Sequence, residues 1–184
     1  VRVAFLDIDG VLVNRRSLKE RSGLKAVGDP RCVYALNYLL QVSMAKVVVS
    51  SSWRFCGLEE MRLILCHWGM RGDVIDITPD LTRKVLGVYS AVERGEEIQQ
   101  WLDEHPEYTD YVILDDDDPG ERWHQRWVRT VFERGMTEHD ARRALQLFFA
   151  STSGPLLSAE DRKDPQTLST SQISKKLGDC NADQ

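Results

Sequence analysis

The sequence predicts an α/β fold, a doubly wound Rossmann-like parallel sheet, and three observations carry that prediction. Three short runs, VRVAFLDI (residues 1–8), AKVVVSSS (45–52) and DYVILDDD (110–117), are mostly apolar on both faces, as strands in the middle of a parallel sheet are. Segments with apolar residues at helical spacing separate them, the alternation that right-handed crossovers produce. Each run also ends in polar residues, at the edge where open parallel sheets bind ligands.

The first run closes on Asp7 and Asp9, followed by Gly10. An uncompensated buried charge costs several kcal/mol, so two acids at the end of an apolar strand imply a cation or a reaction. The stretch NRRSLKERSGLK (14–25) comes next, with five basic residues against one acidic. DPRCVYALNYLLQVS (29–43) opens with Asp-Pro and repeats Val33, Leu36, Leu39 and Leu40 at helical spacing, predicting a helix into the second strand. LEEMRLILCHW (58–68) predicts a second helix, and the Gly72-Asp73 turn introduces a short strand at 74–77. RGEEIQQWLDEH (94–105) is the helix that feeds the third buried strand.

Beyond Asp118, Thr137 with Glu138 and Asp140 marks the cap and first turn of a last helix reaching Phe149. Trp123, Trp127 and Phe132 are expected to pack against the sheet, and His124 and His139 to be surface or packing residues without metal-ligand spacing. From Ser151 onward the chain is rich in Ser, Thr, Asp and Lys. The predicted organisation is a folded domain over residues 1–150 and a polar, flexible tail over 151–184.

A chain of 184 residues, 42% of them hydrophobic, suits one domain with a sizeable core. The net charge of -5 removes the overall basic field of a dedicated nucleic-acid binder, although a local basic patch is compatible with it. Cys32, Cys56, Cys66 and Cys180 form no CxxC pair, so reduced thiols are expected instead of zinc or disulfides. With no membrane-length apolar run and no signal-peptide pattern, the expected location is the cytoplasm.

The polar strand ends define the chemistry. Asp7 and Asp9, then Ser50, Ser51 and Ser52, then Asp115 to Asp118 arrive from independent segments at one rim. Oxygen ligands with room for water suit Mg2+ better than zinc. Magnesium beside carboxylates points to phosphate chemistry, in which one carboxylate attacks phosphorus and a second carboxyl group handles the proton. Strand alternation places Asp7 and Asp9 on the same side, separated by Ile8.

DIDGV, a serine closing the second strand, a basic residue before a helix and ILDDD resemble the four motifs of the haloacid dehalogenase (HAD) superfamily, over roughly residues 1–150. The resemblance implies Asp7 as nucleophile, Asp9 as general acid and base, and Ser51 or its neighbour Ser50 as a phosphoryl-oxygen ligand. It implies Arg94 as the cation facing the phosphate and Asp115 with Asp116 as the metal-binding acidic pair. Mg2+ would then be held by the Asp7 carboxylate, the Asp9 backbone carbonyl and the last motif. Two positions depart from the family pattern: Arg94 stands where lysine is commonest, with Lys84 as competitor, and the last motif is a run of four aspartates.

Within that family Asp9 favours phosphate-ester hydrolysis over carbon-halogen cleavage, because an oxygen leaving group needs an acid. About 40 residues separate the first two motifs and a similar stretch the next two, which leaves space for a small flap at 14–25 and only a minimal cap. SSSWRFCG, and RGEEIQQWL before YVILDDD, are similar to a subgroup of small, minimally capped members that includes multi-domain RNA-repair proteins. The expectation is an Mg2+-dependent phosphatase working through an aspartyl-phosphate, its open site serving small phosphorylated molecules, nucleotides or nucleic-acid ends. A non-catalytic phospho-ligand or nucleic-acid binding module and a phosphotransferase stand as alternatives.

Overall fold

The computed structural model describes residues 1–19, 27–85, 88–90 and 92–150, without the side chains of 83–85 and 88–90. The predicted tail at 151–184, with Cys180, lies outside the described residues, as do positions 20–25 of the basic flap. In chain order the elements are β1 (Arg2–Leu6), α1 (Arg15–Lys19), α2 (Pro30–Ser43), β2 (Lys46–Val49), a 3-10 turn (Ser52–Cys56), α3 (Leu58–His67) and β3 (Val74–Ile77). Then follow β4 (Arg83–Val85), β5 (Val88–Ser90), α4 (Arg94–Glu104), β6 (Asp110–Asp115), a second 3-10 turn (Glu121–Trp123), β7 (Trp127–Arg129) and α5 (Glu138–Ala150).

Five strands form one parallel sheet in the order β3-β2-β1-β6-β7. The order reverses direction at β1, so the crevice for a ligand falls beside the carboxyl end of that strand. The α/β class and parallel sheet agree with the prediction, with shorter strands than the apolar runs: β1 ends at Leu6 and β2 at Val49. Single backbone bonds carry the ladder one step further, from Asp7 N–H to Leu114 C=O at 3.0 Å and from Ser50 N–H to Leu6 C=O at 2.8 Å. The first polar residue of each run is thus still held by the sheet, while its side chain faces the crevice.

Strand alternation sorts the core into two layers. Ala4, Leu6, Val47, Val49, Val112 and Leu114 point to the layer shared with α2, α3 and α5. Val3, Phe5, Val48 and Ile113 point the other way, against Ile98 and Trp101 of α4 and Trp123. Burial of large side chains such as Trp101 and Phe5, which meet edge to face at 5.4 Å, contributes about 2–3 kcal/mol each. By the same parity Asp7 and Asp115 belong to the α4 side, where Arg94 begins the helix.

Local chemistry explains the helix ends. Asp29 caps α2 by accepting from Arg31 N–H, and Pro30 occupies the first helical position, where no donor is needed. Met44 closes α2 in the left-handed conformation at φ 57°, an unusual place for a side chain with a Cβ. Among the described residues no helix is long and apolar enough to cross a membrane.

Several short elements were not foreseen. The β4–β5 hairpin, the edge strand β7 and the one-turn helix α1 are each three to five residues long, too short for a hydrophobic period to register. Trp123 is buried and Trp127 packs against the α4-side layer as expected. Phe132 does not pack away: it is 36% exposed, because the chain has already left β7 at Arg129 and turns back toward α5.

Candidate active site

Asp7 is 5% exposed at the carboxyl edge of the sheet, between strands that bring it two kinds of partner. Arg94, the first residue of α4, reaches back with Nη2 at 3.4 Å from Asp7 Oδ1 and Nε at 3.3 Å from Asp115 Oδ2. The Ser51 hydroxyl lies near the Asp7 carboxylate, where it favours the ionised form, and accepts from Trp53 N–H at 3.4 Å, capping the 3-10 turn after β2. Ser50 is equally buried, and its Oγ has no hydrogen-bond partner. A hydroxyl left unpaired in a dry environment costs about 1–3 kcal/mol, a cost that a bound oxyanion would relieve. Lys84 lies on β4, and its side chain is outside the described set.

The four aspartates of the last motif divide by environment. Asp115 is buried and Asp116 half-buried, while Asp117 and Asp118 are exposed. Asp117 N–H donates to Asp115 Oδ1 at 2.9 Å, and Asp118 turns outward to Gly120 N–H and His124. Carboxylate oxygens of Asp7, Asp115 and Asp116 all lie within 4.8 Å of one another, close enough to share one ion. Gly10 makes room for this approach. It has φ +76°, and a Cβ there would collide with the Asp116 carboxylate.

The electrostatics suit a bound cation. Burial pushes the Asp7 carboxyl up, and Arg94 only partly offsets it. Burial and then the neighbouring Asp7 charge push Asp115 up as well. Asp116 is raised by its own burial and by Asp117. Three acids that resist ionising together, all offering hard oxygen donors, make a suitable seat for a divalent cation of the magnesium type.

Asp9 stands beyond the end of β1. The chain leaves the strand after Leu6 and turns at Gly10, so simple alternation does not govern the Asp9 side chain. Its Oδ2 accepts from the Trp53 indole Nε1–H at 2.8 Å, and its carboxylate is not one of the clustered trio. The backbone of the same turn is held by Thr130, whose hydroxyl donates to the Gly10 carbonyl at 2.8 Å.

The sequence reading missed one buried pair next to the site. Arg54 Nη1 and Nη2 meet Glu97 Oε2 and Oε1 at 2.7 and 2.5 Å, a two-pronged bridge with the side chains only 12% and 4% exposed. Glu97 Oε1 also accepts from Leu81 N–H at 3.4 Å, and Arg54 reaches Thr78 Oγ1 at 3.5 Å. The bridge links the turn after β2, the segment after β3 and the first turn of α4, one helical turn below Arg94. A charged residue on each of two amphipathic segments carries no signal of mutual pairing, so only the fold reveals it.

A parallel sheet with switch point at β1, an aspartate at the end of that strand, serines after β2 and an acidic pair after β6 is the arrangement of the HAD superfamily. The model of the HAD domain in Swiss Army Knife RNA repair proteins matches residues 3–141, and the chain belongs to that family. No curated protein matches the chain. The family points to phosphatase-type or related chemistry and, in general, to the use of Mg2+.

Proposed function

We propose that the protein is a phosphomonoester hydrolase that works through an aspartyl-phosphate on Asp7. The observation that carries the reading is the setting of Asp7: a buried carboxylate with Arg94 on one side, the Ser51 hydroxyl on another and two further carboxylates within reach. Asp7, Asp115 and Asp116, with the Asp9 backbone carbonyl, would hold Mg2+, which when bound supplies positive charge to the phosphoryl oxygens and the ionised nucleophile.

The residues of the chain divide the remaining work. Arg94 and the hydroxyls of Ser50 and Ser51 bind the phosphoryl oxygens and orient phosphorus toward Asp7. An Asp7 oxygen forms the new bond to phosphorus while the bond to the leaving oxygen breaks, and that oxygen takes its proton from Asp9. Asp9, now ionised, removes a proton from water, which attacks phosphorus and frees Asp7 and inorganic phosphate. A proton-accepting Asp9 distinguishes hydrolysis from a bare binding role, which would need no second carboxyl group.

Nucleic-acid ends are the substrate class we favour. The matching family is named for RNA repair, and α1, next to the nucleophile loop, exposes Arg15, Arg16 and Lys19. Exposed cations beside an open site raise the local concentration of polyanions.

The test is phosphate release from para-nitrophenyl phosphate and from RNA or DNA carrying 3' or 5' phosphates. Asp7→Asn is expected to lower turnover on the order of a thousandfold or more while folding is kept. EDTA is expected to stop turnover and added Mg2+ to restore it. Binding of phosphorylated ends with no Asp7-dependent release would make the domain a recognition module instead.

A further inference from the structure

We propose that Trp53 is a positioning residue for Asp9, holding it as proton donor to the leaving group; the inference rests on the hydrolytic reading above. The indole Nε1–H donates to Asp9 Oδ2 at 2.8 Å. An indole nitrogen donates and never accepts, so the oxygen facing it is committed to accepting. Oδ1 is the oxygen left to carry and deliver a proton. Asp9 needs such a partner because it stands beyond β1, where the strand ladder no longer dictates its direction.

The ring is itself fixed. Trp53 packs against the α2-side core and meets Trp68 edge to face, with centroids 5.7 Å apart and planes at 73°. Trp68 in turn covers Gly28, where a Cβ would press into its ring. The Trp53 backbone N–H is held by Ser51 Oγ, and the Ser51 hydroxyl lies near Asp7, where it favours the ionised carboxylate. One turn after β2 therefore addresses both carboxylates, Asp7 through Ser51 and Asp9 through Trp53. Their mutual placement follows from this turn as much as from their spacing in sequence.

The role has a signature that general destabilisation lacks. As the Asp7 oxygen bonds to phosphorus, the electron pair of the breaking P–O bond goes to the leaving oxygen. An alkoxide leaving group must collect the Asp9 proton, whereas dinitrophenolate leaves without one. Trp53→Phe keeps an aromatic ring against Trp68 and removes the N–H donor together with part of the ring, a packing loss that falls on both esters alike. Its effect should grow with the basicity of the leaving group.

The experiment compares kcat/KM with Mg2+ for dinitrophenyl phosphate and a simple alkyl phosphate in the wild type, Trp53→Phe and Asp9→Asn. For Trp53→Phe the loss on the alkyl ester is expected to exceed the loss on the dinitrophenyl ester by about tenfold or more, with Asp9→Asn steeper still. The ratio within one preparation does not depend on the fraction folded. Equal losses on both esters in Trp53→Phe, with Asp9→Asn remaining steep, overturn the role of Trp53 and leave the hydrolytic reading intact. Equal losses in Asp9→Asn overturn that reading, and the inference with it. A second measurement needs no Trp53 variant: Asp9→Ala, which removes the acceptor, should strongly shift one of the five indole N–H proton resonances, and an unchanged set overturns the contact.

Discussion

Glu97→Gln should destabilise the protein far more than an exchange of one side-chain oxygen for nitrogen suggests. In the wild type both guanidinium nitrogens of Arg54 face both Glu97 oxygens, and neither side chain has much access to water. The substituted side chain would point an amide N–H2 at one of those nitrogens and leave a buried cation without its counter-charge. Removing one partner of a buried pair costs about 3–5 kcal/mol. Asp80 lies 3.5 Å from Arg54 Nη2 but is 64% exposed, so it replaces little of the lost charge and the lower half of that range is expected. With a urea slope of about 2 kcal/mol/M, a loss of about 3 kcal/mol moves the midpoint down by about 1.5 M.

The assay is urea unfolding of the full chain followed by tryptophan fluorescence, with Arg54→Met and the double variant completing a cycle. The double variant should be more stable than the sum of the single losses implies, by about 2 kcal/mol or more, because no unpaired charge remains. A single-variant loss below about 1 kcal/mol, or strict additivity, would mean that the pair behaves like a surface ion pair. It would then have no part in anchoring the helix that carries Arg94.

Gly10→Ala should abolish the thermal stabilisation given by Mg2+ as well as turnover, because its Cβ displaces Asp116 and its φ of +76° disfavours any side chain; unchanged Mg2+-dependent melting would refute this. In metal-free protein Asp7 is raised to about 6 and Asp115 to about 8, so the folded state binds more protons than the unfolded chain above the ordinary carboxylate range. Stability without metal should therefore fall as pH climbs toward 8, and Asp115→Asn should raise the pH 8 melting temperature by about 4 °C or more while removing the response to Mg2+. Asp29 has the opposite sign: hydrogen bonds from Arg31 and Asn14 hold its carboxyl well below the usual range. Its contribution is present above the ordinary carboxylate pKa and is lost as pH falls through the lower folded value, so Asp29→Ala should cost about 1–2 kcal/mol near neutrality and progressively less in acid, read by denaturant titration at several pH values. Met44→Gly should stabilise by about 0.5–1 kcal/mol, since an exposed side chain at φ 57° gives nothing in return for its strain; calorimetry would show it.

What the sequence disclosed was whatever leaves a local trace. The three central strands were legible because β1, β2 and β6 are buried on both faces and so read as continuous apolar runs. Asp29 and Pro30 marked the start of α2 because capping is decided by the residues at the cap itself. Contacts formed by the fold left no such trace. Trp53 and Asp9 are 44 positions apart, and Arg54 and Glu97 are 43. The split of Asp115 and Asp116 from Asp117 and Asp118 depends on where β6 stops and the chain emerges, which a run of identical residues does not encode.

The base of the segment between the nucleophile loop and α2 is tied shut. Asn14 Nδ2 donates to Asp29 Oδ2 at 3.0 Å and to the Arg134 carbonyl at 2.9 Å, and Asp29 N–H bonds the Leu12 carbonyl at 2.8 Å. With its two ends clasped, the length of chain between them becomes almost free to vary. Each doubling of such a loop adds only about 0.6 kcal/mol of closure entropy. Asn14 and Asp29 thus form a clasp that fixes the edge of the strand and the start of α2 without relying on the chain between them.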